Sequence, residues 1–463
     1  MHSRTLLATL VAALCLLAPA AAHAARPSAV VTMGDSYISG EAGRWAGNSV
    51  DPNPGNDGTD RACVPSGGSC QVDKSRVYVP PSDTDGCHRS DVAEVNSARL
   101  PVVERINIAC SGAVTSDLLT SAQGGTREHG EQPEGDQLLA VARTHRVKAI
   151  VVSIGGNDLG FATIIADCLE AYEARTGPCK PKEQPKLAAG IPAAQAKVEH
   201  VIDSIRGVMH AAGYPRTSYR LIFQTYPSVA ARAAENRYSE NDPRRTTDGC
   251  ANYDEDANWA RDEASAEIDQ MVAGAAKARG AELMDLHDLF QGHEVCAKTD
   301  AESTALSRPS PAGSEWGRFT GGSTVQQGDL QEAFHPNAFG QQAFAACLTA
   351  VYAAARGRFT CSSAAGRAPS AVTVARTATL TPKLKLFFRR HASGQCVRFT
   401  VHSQGDVVRH ARVRFDGHSG RTGHRGRTTI CGPMAAGRHR ANVRMAGFTA
   451  AHRTVRVRRR RAG

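Results

Sequence analysis

Three runs rich in apolar and β-branched residues mark the first half of the chain: Ala29–Met33, Val102–Ala109, which also carries Glu104, Arg105 and Asn107, and Lys148–Ile154. The first and third, nearly continuous in such residues, predict strands buried on both sides, as in a parallel sheet, and the second a further strand. Arg220–Thr225 and Ala281–Leu286 repeat the pattern. Between them the period changes. Val198, Val201, Ile202, Ile205, Val208 and Met209 share one face of a helix over Ala194–Ala212. Helices are also expected from near Thr115, over Leu159–Tyr172, and through Trp259 and Ile268 to Ala278, with a last one from His335-Pro336-Asn337 to about Ala355. Strands alternating with helices predict an α/β fold, a parallel sheet covered on both faces. Two long Gly-, Asn- and Pro-rich stretches, Gly40–Gly86 and Ala297–Gly328, read as loops.

Past a Ser-, Ala-, Gly- and Pro-rich linker at Ser362–Ser370 the period becomes two. In Cys396–Val401, Ala411–Phe415 and Val455–Arg458, Val and Phe alternate with Arg. Half-exposed antiparallel strands have this pattern, and a β-sandwich over 371–463 is expected, Ig-like and clamped by Cys396 and Cys431. Charge divides at the same place. From Arg367 onward 22 Lys and Arg face two acids, Asp406 and Asp416, a net +20. The remainder holds 33 bases and 43 acids, a net −10.

A basic start, an apolar run from Leu6 to Ala18 and Ala22-His23-Ala24 predict a secretory signal peptide over 1–24, too short to span a bilayer. Thirteen cysteines less Cys15 in that leader leave twelve, an even number suited to disulfides in an exported chain. None shows zinc-knuckle spacing, so neither metal nor cofactor is expected. Few aromatics and an export signal argue against nucleic acid as partner.

Four short blocks end strands or open helices: Gly34-Asp35-Ser36, Ser111-Gly112, Gly155-Gly156-Asn157-Asp158 and His335-Pro336-Asn337. In that order they resemble the four blocks of the SGNH (GDSL) hydrolases, most closely the secreted bacterial esterases and lipases, over Val30 to about Val351. The resemblance implies a three-layer, flavodoxin-like α/β/α domain over 25–361. It makes Ser36 the nucleophile and His335 the base. The Ser36 and Gly112 N–H groups and the Asn157 amide become the oxyanion hole. Acyl transfer needs those parts, a nucleophile, a base and oxyanion donors. No Gly-x-Ser-x-Gly elbow surrounds Ser36, which argues against an α/β-hydrolase. Tyr37 replaces the family's leucine. Three residues before the histidine, where the family places Asp, stands Glu332; either its side chain or a backbone carbonyl at that position orients His335. His287 and His293 are weaker candidates for the base. Asp35 reads as a turn stabiliser and Asp158 as a cap on the helix after it.

The same resemblance implies the disulfides Cys87–Cys110, Cys168–Cys179 and Cys250–Cys296. The remaining cysteines then pair most simply as Cys63–Cys70, Cys347–Cys361 and Cys396–Cys431. The expectation is a secreted, monomeric serine ester hydrolase acting on ester or lipid substrates, with the two long loops bordering its pocket. Polysaccharide O-acetyl esterase and phospholipase are alternatives within the enzymes. A surface-binding protein, working through the basic domain on an anionic cell-wall or lipid surface, is the alternative of another class.

Overall fold

The computed structural model describes residues 26–51, 55–67, 69–320, 327–380, 383–390, 396–403, 405–446 and 448–457. The expected signal peptide lies outside these, as does the run of arginines after Arg456.

Six strands form a parallel sheet: β1 (Ser28–Gly34), β2 (Glu104–Asn107), β3 (Arg146–Ser153), β4 (Arg220–Gln224), β5 (Glu282–Asp285) and β6 (Gly357–Ser362). Their spatial order is β2-β1-β3-β4-β5-β6. Val30, Val31, Ile150, Val151 and Val152 are fully buried, which explains the unbroken apolar runs. On one side α2 (Glu134–Thr144), α4 (Lys180–Ala211) and α5 (Ser265–Arg279) pack against one another. On the other, α6 (Ala338–Ala353) packs on the short turn Glu94–Ser97. Between β3 and α4 lies α3 (Phe161–Glu173), and a single helical turn, α1 (Ser36–Ser39), follows β1. This is the expected three-layer α/β architecture with a flavodoxin-type strand order. The order reverses between β1 and β3. Outside the carboxyl ends of strands at such a switch point a crevice opens, because the two flanking connections leave in opposite directions.

One segment departs from expectation. Thr373–Thr379, read as part of the small β domain, is β7 of the main sheet, antiparallel to β6. Its Val374, and Val372 just before it, rest against the large core, a placement that its alternating pattern does not encode. Helical character near Thr115 amounts to a single 3₁₀ turn, Thr115–Leu118.

Within the long stretch expected to be a loop, Cys63–Ser66 and Ser69–Val72 pair as a small antiparallel hairpin, and the strands after Thr379 form two antiparallel four-stranded sheets. One holds β8 (Lys385–Arg390), β9 (Cys396–Ser403) and β11 (Arg427–Cys431), with the two-residue strand Asp406–Val407; the other centres on β10 (Arg412–Phe415) and β12 (Gly437–Arg444), flanked by His418–Arg421 and Ala451–Val457. Val397, Phe399, Val401, Val413, Phe415, Ile430, Val443 and Val455 make a core between them, a β-sandwich. Cys396 and Cys431 sit opposite each other on neighbouring strands of one sheet. The bridge therefore ties a sheet edge, whereas the immunoglobulin bridge ties two sheets together. All six expected disulfides are present. Among the described residues no helix is long and apolar enough to cross a membrane.

Candidate active site

Strand β1 delivers Gly34-Asp35-Ser36 to the crevice. Gly34 has φ +127°, and a Cβ there would lie 1.8 Å from the Ser153 carbonyl oxygen, so only glycine lets β1 turn beside β3. Asp35 caps α1, its carboxylate accepting from the Tyr37 N–H at 3.2 Å. The Tyr226 hydroxyl also donates to Asp35 and accepts the Gly156 N–H at 3.0 Å. Burial pushes the Asp35 carboxyl up to about 7, with Tyr226 and Tyr37 opposing that rise.

At the other end of the chain Asn337 caps α6, its Oδ1 accepting from the Phe339 and Gly340 N–H groups at 2.9 and 3.2 Å. That cap sets His335 just ahead of the helix. Its Nε2 lies 2.7 Å from Ser36 Oγ, across 299 residues of sequence. Its Nδ1 lies 3.0 Å from the Ala333 carbonyl oxygen. A carbonyl only accepts, so the proton sits on Nδ1 and the Nε2 lone pair faces the serine O–H. Burial lowers the imidazole to about 4, with the Ala333, Glu332 and Gln331 carbonyls partly offsetting this. At neutral pH the ring is uncharged and able to take a proton.

Glu332 does not reach the histidine. Its buried carboxylate accepts from Trp45 Nε1 at 2.8 Å, the Asp329 N–H at 3.0 Å and the Tyr78 hydroxyl at 3.0 Å. The nearest acceptor for Nδ1 belongs to Ala333, one residue beyond the expected position. These three donors hold the carboxylate among Trp45, Asp329 and Tyr78, while the imidazole Nδ1 meets a backbone carbonyl.

Gly112 has φ +85°, a left-handed conformation suited to glycine, and a Cβ would meet Glu128 Oε1 at 2.7 Å. The Cys87–Cys110 bridge anchors the chain just before it. Asn157 Nδ2 donates one hydrogen to the Ala113 carbonyl at 3.0 Å, leaving its second hydrogen for another acceptor. Asp158, expected as a helix cap, instead accepts from the Thr115 N–H and hydroxyl at 2.9 and 2.7 Å. Adjacent side chains thus staple the loop after β3 to the loop after β2. Gln331 Nε2 donates to Ser111 Oγ at 2.9 Å, tying that loop to the histidine segment as well.

His287 and His293 lie elsewhere. His287 bonds Asp269 at 2.7 Å. His293 is fully buried, stacked on Trp316 at 4.1 Å and bonded to Asp300 at 2.9 Å. None of the described residues of the Gly40–Gly86 and Ala297–Gly328 loops lines the neighbouring pocket; several of them brace the histidine. Trp45 holds Glu332, the Arg318 N–H donates to the His335 carbonyl at 2.9 Å, and Phe334 N–H donates back to Arg318 O at 2.8 Å. The pocket of ≈100 Å³ beside the site is apolar, lined by Phe161, Ile164, Leu169, Val229, Trp259 and Ile268, with Gly156 and Phe334 at its rim. Tyr226 and the Ala333 carbonyl are the residues that motif reading missed. Tyr226 follows a strand end with no local signal, and a carbonyl carries no side-chain identity.

A serine hydroxyl against a neutral imidazole, at the carboxyl ends of strands with a glycine loop and an asparagine amide nearby, is the equipment of acyl-ester hydrolysis. Residues 77–343 match the GDSL-like lipase/acylhydrolase family, a span that holds Gly112, Asn157 and His335 and begins after Ser36. With more than half its length matched, the chain belongs to that family. Lipase 1 of Streptomyces coelicolor is 25% identical over 234 residues, 50% of this chain; the chain spans 64% of that relative's length. The extracellular lipase of Streptomyces rimosus is 20% identical with TM-score 0.39, over 68% of this chain and 94% of its own. Est24, a carbohydrate acetylesterase from Sinorhizobium meliloti, is 14% identical with TM-score 0.23, over 56% and 83% respectively.

Proposed function

We propose that the protein is a secreted serine carboxylester hydrolase in which Ser36 is the nucleophile and His335 the general base and acid. The observation that carries this is the relay Ser36 Oγ–His335 Nε2 at 2.7 Å with Nδ1 held by Ala333 O at 3.0 Å. Ser36 Oγ attacks the ester carbonyl carbon while its proton passes to Nε2. The backbone N–H groups of Ser36 and Gly112 and the second Asn157 amide hydrogen receive the oxyanion. The tetrahedral adduct then breaks its C–O bond, the leaving alcohol takes the Nε2 proton, and the acyl group stays on Ser36. Water repeats the cycle in reverse order: Nε2 takes its proton, hydroxide adds to the acyl carbon, and Ser36 leaves as its alcohol. No step calls for a metal or cofactor.

The apolar pocket at Gly156 and Phe334 supports an acyl group longer than acetyl as the preferred substrate. Hydrolysis of p-nitrophenyl esters from acetyl to palmitoyl, beside Ser36→Ala, tests both points. Turnover by the wild type with about 10³-fold or greater loss in Ser36→Ala is expected. An unaffected variant would remove Ser36, and a strict preference for acetyl would transfer the proposal to an acetylesterase. The basic domain is proposed to hold the enzyme on an anionic surface. Arg421, Arg412 and Arg444 stand opposite one another on three adjacent strands, all exposed. Like charges so placed repel unless an anion lies over them.

A further inference from the structure

A second cavity, of ≈410 Å³, lies at the opposite end of the sheet from Ser36, where the amino ends of β4, β5 and β6 meet the start of the β-sandwich. Arg206, Arg216, Arg356 and Lys383 line it, with Tyr219 and Thr379. Arg206 comes from α4, Arg216 from the turn before β4, Arg356 from the turn before β6, and Lys383 from the strand leading into the small domain. Four cations from four separate segments thus converge on one space.

Their hydrogen-bonding leaves the charge uncompensated. Arg206 is buried and donates to the Arg279 and Gly280 carbonyls at 2.6 and 3.1 Å. Arg356 donates to the Thr217 and Tyr219 carbonyls at 3.2 and 2.6 Å. No carboxylate forms an ion pair with any of the four among the described residues. Glu282, the one acid lining the cavity, is engaged by the Arg220 guanidinium and by the Gly357 N–H. Asp406 nearby accepts the Arg216 backbone N–H. Burial and the neighbouring Arg216 and Arg279 hold the Arg206 guanidinium below its ordinary pKa, with Asp203 opposing in part; burial does the same for Arg356, with Glu282 opposing. Four cations gathered around one partly dried cavity, against a single lining acid already engaged by Arg220, are costly to hold together, and a bound anion relieves that cost.

We infer that this cavity is a binding site for a multiply charged phosphate compound. A lone monovalent ion would leave most of the charge unbalanced and most of the space unfilled. Guanidinium forks suit phosphate oxygens bidentately, and the lysine adds a point charge. Because Lys383 belongs to the segment entering the sandwich and the arginines to the main domain, the ligand would clasp the two together.

Titration of the full mature chain with inorganic pyrophosphate, followed by calorimetry at constant ionic strength, tests the inference. One saturable site is expected, weakened at least tenfold in Arg216→Glu and in Lys383→Glu with far-UV circular dichroism unchanged. Arg412→Glu, on the outer face of the sandwich, should bind as the wild type does. Should binding survive both cavity reversals, or fall only with Arg412→Glu, the anion sits on the arginine face and the inference fails; an absence of saturable binding also overturns it. Phosphatidylglycerol vesicles added as competitor distinguish the sources. Displacement of pyrophosphate assigns a lipid headgroup, and no displacement assigns a free phosphate compound.

Discussion

Replacing Glu332 separates two ways of orienting a catalytic histidine. In a triad the acid accepts from Nδ1, and its loss costs about 10⁴ in rate, near 5.5 kcal/mol of transition-state stabilisation. Here Nδ1 is held by Ala333 O, and Glu332 serves Trp45, Tyr78 and Asp329. Glu332→Gln preserves the volume. Its amide oxygen still accepts from Trp45 and Asp329, and its NH₂ group donates to the Tyr78 oxygen, whose hydrogen is then given wholly to the Glu41 carbonyl. What disappears is the negative charge facing Arg318, a fully buried guanidinium stacked 3.6 Å from the Trp45 ring and lowered by burial to about 9. That loss should destabilise the fold by about 1–3 kcal/mol. Glu332→Ala also strands the buried Trp45 N–H and releases the Asp329 N–H and one Tyr78 contact, for roughly 3–5 kcal/mol in all. The activity of folded Glu332→Gln should fall less than about tenfold, under 1.4 kcal/mol. Ester kinetics at a temperature well below the melting midpoint, with thermal unfolding measured in parallel, resolve the two effects. A 10³-fold or greater loss of kcat in a Gln variant that melts like the wild type would refute the reasoning and return the carboxylate to the triad.

Since burial lowers His335 to about 4, the base is already neutral at pH 5. The acid limb of kcat/KM should have its midpoint near 4, well below the ordinary imidazole value; a midpoint at 6–7 would mean that the ring is solvated before substrate binds. Asn157→Ala removes one oxyanion donor and the bond to Ala113 O, and should cost about 10²–10³ in kcat with little change in KM. Paired reversals Arg412→Glu and Arg444→Glu should weaken salt-sensitive retention on phosphatidylglycerol vesicles while soluble-ester turnover holds; unchanged retention would dismiss the basic face as a docking surface.

The α/β class, five of the six parallel strands and the catalytic candidates were legible in the chain because their signals are local. An apolar run says that a strand is buried on both faces, and a Gly-Asp-Ser or His-Pro-Asn after the right element says what its end carries. The cysteine pairs followed from resemblance and simple adjacency. What packing decided is long-range. Glu332 turns away from His335 because Trp45 and Tyr78, 287 and 254 residues distant, take its oxygens. That leaves Ala333 to offer its carbonyl. Thr373–Thr379 alternates like a sandwich strand yet closes the main sheet, since an edge strand is chosen by which neighbour has free hydrogen bonds, and β6 did. The described residues of the long loops, expected as pocket walls, instead hold the histidine, while α3 and the segments around Val229 and Trp259 line the apolar pocket. Strand and helix periods follow from neighbours two to four residues apart. Which carbonyl meets an imidazole, and which surface closes a pocket, depends on partners that only the folded chain brings together.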